Sequence, residues 1–184
     1  MADTGFEILA EPLPDVLLIK TPRYEDERGI FLKGYHEDFF NSLPTPFKPA
    51  EQFISISQKE VLRGMHFQVG IMAHQKLVSC SAGRILDVVV DVRNDSAYFN
   101  KPISIELDSR TASALLIGKG YAHGFLALEE LSATHYLTSS VHSSQHDKGI
   151  LWSSIDFEWP TKSPIVSARD ARQPLIGSDQ CTFS

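Results

Sequence analysis

The chain has 184 residues, enough for one domain with a buried core, and its 42% hydrophobic and 22% charged residues are those of a globular protein. A formal net charge of −6 disfavours nonspecific binding to nucleic acid or to an anionic membrane, although a few focused cations can still hold a small anion. No apolar run is long enough to cross a bilayer and the N-terminus has no signal-peptide pattern. Cys80 and Cys181 lack metal-ligand spacing, so the expectation is a reduced, cytoplasmic chain.

Val16–Lys20 reads as an early strand closed by Thr21 and Pro22. Glu27-Arg28-Gly29 is a turn signal, and a strand resumes at Ile30. Glu37–Asn41 is a short helix candidate, ended by Pro44, Pro46 and Pro49. Residues 53–57 alternate with period two and lead into 61–76. There an apolar start, Val61 and Leu62, runs straight into Arg63, His66 and Lys76. Such groups are costly to bury unless they face a cavity or meet carboxylates. Arg63 and His66 are three positions apart, so strict alternation sends them to opposite faces. A bulge or twist near Gly64 is needed for both to reach one ligand.

Residues 77–80 read as a strand, and 85–93 form the clearest strand of all. Leu86, Val88, Val90 and Val92 share one face, while Asp87, Val89, Asp91 and Arg93 share the other, which predicts a polar lumen or groove. Residues 103–107, 114–117, 121–128 and 133–138 add further strands. The chain then becomes irregular through Trp152, Trp159-Pro160 and Pro164, and 176–184 reads as a flexible tail. About ten short strands separated by turns predict an all-β sandwich, jelly roll or small barrel.

Seven histidines invite a metal, but no His-x-His pair with a following acid and no Cys/His cluster with zinc spacing occurs, so none is expected. Neither a Gly-x-Ser-x-Gly elbow nor a cysteine in a basic setting is present. General acid–base chemistry fits better. A histidine serves as base if a carboxylate orients it, a lysine stabilises an oxyanion, and a tyrosine hydroxyl delivers a proton. His66, Lys76, Tyr136, Asp87, Asp91 and Asp170 supply these types. Pattern alone does not bring them together, and scattered polar residues on an ordinary sandwich would read the same way.

Four segments in order, Val61-Leu-Arg-Gly-Met-His-Phe-Gln68, Gln75-Lys-Leu-Val78, Gly83-Arg-Ile-Leu-Asp-Val-Val-Val-Asp-Val-Arg93 and Gly120-Tyr-Ala-His-Gly-Phe125, resemble the dTDP-4-dehydrorhamnose 3,5-epimerase family. Asp26 to Phe31 upstream, and Gly149-Ile-Leu-Trp152, Trp159-Pro160 and Ser167 to Asp170 downstream, extend the resemblance over roughly residues 16–175. It implies a single-domain, cupin-like jelly roll or β-barrel with short peripheral helices and no metal or cofactor. It also implies a homodimer with exchanged N-terminal strands. The implied substrate is a nucleotide-diphosphate-linked 4-keto-6-deoxyhexose inverted at C3 and C5. By the same resemblance His66 is the base, Asp170 orients it, Lys76 stands beside the enolate oxygen, and Tyr136 returns a proton to the opposite face. Arg63 and His123 match pyrophosphate and sugar contacts, and Asp147 and Arg169 further substrate contacts. Arg28 and Phe31 match nucleotide contacts supplied by a partner subunit.

The chain departs from the family pattern in five places. Lys33 replaces a glutamate, Glu51 and Phe53 replace a Gln-x-Asn pair, Glu60 replaces a glycine, and His142 replaces a second tyrosine. Lys33, the Glu51 and Phe53 pair, and Glu60 fall in the implied nucleotide and phosphate region, so a ligand with a different base or sugar is expected, its chemistry unchanged. His142 bears on outcome and leaves open a single-centre epimerase or keto-sugar isomerase. A non-catalytic nucleotide-sugar-binding barrel is the remaining alternative.

Overall fold

In the computed structural model, residues 4–178 and 183 are described. Cys181 and much of the expected tail lie outside them. The strands are β1 (Glu7–Leu13), β2 (Val16–Lys20), β3 (Arg23–Asp26), β4 (Gly29–Leu32), β5 (Glu51–Ser57), β6 (Leu62–Gln68) and β7 (Lys76–Ala82). They continue as β8 (Arg84–Asp91), β9 (Ile103–Asp108), β10 (Ser113–Ile117), β11 (Tyr121–Ala127), β12 (Ser132–Thr138) and β13 (Asp147–Gly149), and α1 covers Glu37–Asn41. Two sheets form a cupin-like jelly roll, in the orders β1-β2-β10-β7-β12-β5 and β13-β6-β11-β8-β9, while β3 and β4 make a separate hairpin.

Alternation explains how the central strands of each sheet are buried on both faces. On β10, Leu115 and Ile117 join Val78, Ile85, Val89 and Phe125 between the sheets, while Ala114 and Leu116 face the other way. That outer side is covered by Phe6, Phe40 and Phe47. A helix as short as α1 is not stable alone. Fully burying Phe40 among Phe6, Tyr35 and Phe47 holds it, a contribution of about 2–3 kcal/mol. The outer face of the five-stranded sheet is covered by the C-terminal segment through Ile150, Ile155 and Trp159.

The faces of β8 are those expected. Leu86, Val88 and Val90 pack outward under the C-terminal segment, and Ile85 and Val89 point into the lumen. Asp87 and Asp91 alternate with these two on that inner face with no exposure, so buried acids are interleaved with apolar side chains along the lumen. At one end Arg93 donates to Asp91 at 2.6 Å and to the Tyr121 hydroxyl at 2.8 Å. That hydroxyl in turn donates to the Pro14 carbonyl at 2.7 Å, pinning the β1–β2 turn. The other end is where the remaining polar side chains collect.

Three strands lack the expected signal. β1 is exposed along nearly its whole length and contains Pro12, which only an edge strand tolerates. β3 is all but solvent-exposed, and β13 has three residues, too few for a period.

Candidate active site

The site begins with an irregularity in β6. His66 pairs with His123 of β11 and Arg63 with Phe125, so β6 carries one more residue than its partner between these points. The extra residue is accommodated at Gly64, whose φ is +136°, and a Cβ there would lie 2.5 Å from the Gly124 Cα. The bulge expected near Gly64 is present, and it turns both Arg63 and His66 towards one cavity.

That cavity, of about 650 Å³, is sized for a small-molecule ligand. It draws Glu51 and Phe53 from β5, Arg63 and His66 from β6, Lys76 from β7, His123 from β11 and Tyr136 from β12. Asp147 arrives from β13, and Arg169 and Asp170 from the C-terminal segment. Arg28 and Phe31 are not brought there. They flank a separate groove on the exposed β3–β4 hairpin, and Lys33 lies just beyond that hairpin.

His66 Nε2 donates to Asp170 Oδ1 at 2.7 Å, and Asp170 Oδ2 accepts the Gly64 N–H at 3.4 Å. Burial alone would raise the Asp170 carboxyl. The hydrogen bond and charge of His66, with the Gly64 N–H and Ser167, outweigh it and hold the group below the ordinary carboxylate range. An ionised Asp170 fixes the proton on Nε2, so His66 Nδ1 keeps its lone pair for use as a base. Lys76 donates to the His66 carbonyl at 3.0 Å. Burial lowers its ammonium to about 8, against the opposing pull of Asp147 and Asp87.

Tyr136, only 7% exposed, stacks on Phe53 with ring centroids 4.5 Å apart and meets the edge of His123 at 6.0 Å. Burial, reinforced by the Asp87 charge, raises its hydroxyl well above the ordinary phenol value, while Ser55 and Arg63 oppose the shift. His123 donates to the fully buried Asp87 at 2.8 Å. At the rim Arg169 pairs with Asp147 at 2.6 Å, Arg63 donates to Ser57 at 3.1 Å, and Glu51 accepts the His142 N–H at 2.7 Å.

Sequence reasoning did not single out His74, Gln68 or Ser55 as lining residues, yet all three face the cavity. Gln68 Nε2 donates to His74 Nδ1 at 2.9 Å, and burial, then the charge of Lys76, lowers His74 to about 3, so it is neutral. Ser55 was readable, since it lies two positions from Phe53 on the same face of β5. His74 and Gln68 bond to each other and are also tied to Ser140 and Val141 across the fold, contacts that no local pattern encodes. Of the departures from the family pattern, Glu51, Phe53 and His142 line the cavity, whereas Glu60 sits outside it at φ +65°, the backbone state that suits a glycine. Among the described residues, no three His, Cys, Asp or Glu side chains gather as a metal-ligand set, and no helix is long and apolar enough to cross a membrane.

Comparison with known proteins agrees with this geometry. Residues 10–178 match the family described as dTDP-4-dehydrorhamnose 3,5-epimerase. The dTDP-4-dehydrorhamnose 3,5-epimerase of Salmonella typhimurium is 36% identical over 173 residues, covering 92% of this chain and 94% of its own. The solved structure of dTDP-4-dehydrorhamnose 3,5-epimerase from Sulfolobus tokodaii matches with a TM-score of 0.90 at 34% identity, over 97% of this chain and 99% of that one. The Legionella pneumophila dTDP-6-deoxy-D-glucose-3,5-epimerase, solved with dTDP-4-keto-L-rhamnose, matches with a TM-score of 0.87 at 28% identity, over 93% of each chain. With a cavity of acid–base residues inside a cupin-like jelly roll and a family match along nearly its whole length, the chain belongs to the dTDP-4-dehydrorhamnose 3,5-epimerase family.

Proposed function

We propose that the chain inverts C3 and C5 of a dTDP-linked 4-keto-6-deoxyhexose by proton abstraction and return through an enolate. The observation that carries this reading is the His66–Asp170 pair opening into the same cavity as Lys76 and Tyr136. Protons on both carbons beside the C4 ketone are acidic once the enolate oxygen is stabilised. His66 Nδ1 takes the proton and the C–H electron pair moves onto the ketone oxygen, where the Lys76 ammonium balances its charge. Tyr136 gives its hydroxyl proton to the opposite face of the same carbon. The imidazolium then releases its proton to solvent and the phenolate takes one back, which resets the site for the second carbon.

Arg63, Arg169 and His123 are the groups proposed to hold the diphosphate and sugar, with Asp147 orienting Arg169. The expectation of a different base or sugar rests on Lys33, Glu51, Phe53 and Glu60, the last of which lies outside the cavity. Two of these have partners inside the chain that account for them, Phe53 with Tyr136 and Glu51 with the His142 N–H. The dTDP ligand named for the relatives is therefore retained here. Calorimetry should give dTDP the tightest binding of dTDP, UDP and GDP, and a preference for either of the others would reinstate a different nucleotide.

We further propose a cytoplasmic homodimer of one-domain subunits. β1 is an edge strand with Ile8 and Leu9 exposed, and β5, the opposite edge, exposes Ile54 and Ile56. Apolar edges of this kind suit pairing with a second copy. Such pairing would carry the β3–β4 hairpin, with Arg28 and Phe31, to the neighbouring cavity.

The decisive test of the chemistry is incubation with dTDP-4-keto-6-deoxyglucose in deuterated water, with C3 and C5 followed by NMR. Deuterium should enter at both carbons, and His66→Ala should abolish it. Exchange at one carbon alone would make this a single-centre epimerase. Substantial exchange in the alanine variant would remove His66 as the base.

A further inference from the structure

Phe53 stands where the family pattern has an amide, in the region implied to hold the nucleotide. Its contacts argue for another role. The β5–β12 register sets Phe53 directly opposite Tyr136, and their rings stack at 4.5 Å with planes 16° apart. On its other side Tyr136 neighbours Val78 of β7, and its ring meets the edge of His123 at 73°. The tyrosine is thus clamped between a flat aromatic face and an imidazole that is itself anchored on Asp87 at 2.8 Å. Phe53 is the exposed member of this stack, 44% accessible, on the edge strand of its sheet. A direct cross-strand aromatic pair is a specific contact whose loss frees both rings.

We infer that Phe53 is a positioning residue for the proton transfer from Tyr136, and that it acts through the tyrosine ring and not through the nucleotide. This inference rests on the reading of Tyr136 as the acid. A phenol that delivers a proton to one face of a planar enolate must hold its oxygen near the reacting carbon, and small misplacements cost rate steeply. If the ring swings, His66 trades the abstracted proton for one from solvent and returns that to the face the first came from. The result is exchange with solvent without inversion, a product ratio that no simple loss of binding produces.

The test compares Phe53→Ala, Phe53→Leu, Phe53→Tyr, Tyr136→Phe and the double variant Phe53→Ala/Tyr136→Phe. Each is assayed for kcat, KM and the ratio of inversion to exchange in deuterated water. Alanine and leucine, which lack the flat face, should lower kcat about tenfold with little change in KM and raise the share of exchange without inversion. Leucine keeps the bulk, which guards against a folding defect in the alanine variant, and tyrosine keeps the stack and should restore most of the rate. The double variant should be no slower than Tyr136→Phe alone, because the effect of Phe53 passes through the missing hydroxyl. An alanine variant that raises KM at unchanged kcat would overturn the inference in favour of direct nucleotide contact, and so would additive losses in the double variant. A Tyr136→Phe enzyme as fast as the parent would overturn the reading of Tyr136 itself, a failure separate from the first.

Discussion

Raising the pH from about 6.5 to about 9.5 should strip Lys76 of the proton with which it stabilises the enolate, and kcat/KM should fall accordingly. Burial lowers Lys76 from 10.5 to about 8. At the upper pH roughly 3% of the molecules keep the ammonium, so kcat/KM drops roughly thirtyfold if the neutral amine contributes nothing. The limb in kcat should lie at higher pH, because a bound diphosphate and a developing oxyanion favour the charged lysine. Lys76→Arg stays protonated throughout and should lose the alkaline limb even where its plateau is lower. A parent profile flat to the upper pH, or an arginine variant that keeps a limb near 8, would refute the assignment. The same shift has a consequence for stability. Between about 8 and 10.5 the unfolded chain binds more protons than the folded one, so this site makes stability rise with pH across that window and costs stability below it. Lys76→Met should therefore be inactive yet more stable at neutral pH, by about 2 kcal/mol once the lost hydrogen bond to the His66 carbonyl is discounted. Thermal melts should show that gain shrinking as the pH approaches 10.5.

Asp170→Asn should lower kcat by about a hundredfold or more, since the amide no longer fixes the proton on His66 Nε2 or balances the imidazolium. Because Asp170 is held below the ordinary carboxylate range, its contribution to stability is present above that range and fades as pH falls through the folded value. Acid titration of the Asn variant should show a correspondingly smaller loss. Gly64→Ala must place a methyl group 2.5 Å from the Gly124 Cα at a φ of +136°, and denaturant melts should show a loss of about 3 kcal/mol or more. Arg28→Ala should raise KM in a dimer and leave the His66-dependent exchange chemistry intact. Sedimentation of a monomer with undiminished activity would remove the proposed partner contribution.

The sequence discloses the interior better than the margins. The alternation of Leu86, Val88 and Val90 against Asp87 and Asp91 is enough to assign both faces of β8, because each face packs on something definite. The short helix 37–41 was also legible, ended by three prolines and carrying Phe39 and Phe40. β1 was not, since a strand exposed on both sides has no alternation to display. Within the cavity, the quoted motifs contain His66, Lys76 and Asp170, whereas Tyr136 came only from the wider resemblance, and the contact of Asp170 with His66 spans 104 positions of sequence and has no local signature. The position of Phe53 was legible too. Its partner was not, because a cross-strand neighbour depends on register.

Two histidine–aspartate pairs stand side by side in this cavity, and they differ in how much surface they show. His66 and His123 face each other across adjacent strands, held by Asp170 and Asp87 respectively. A base that inverts two carbons in one substrate must shed its proton to solvent between steps, which requires access. The His66 side chain is 28% exposed, whereas His123 is 4% exposed and its aspartate fully buried. His123 reaches the cavity but shows little surface there. What it can do is hold its ring against Tyr136 while Asp87 holds it in turn, a fixed wall for the acid. The cost of burying that second pair is offset only if the geometry it preserves matters, and that geometry includes the tyrosine ring it meets as well as the sugar contact proposed for His123. The base is thus given its freedom by exposure and the acid its precision by burial, on opposite sides of one cavity.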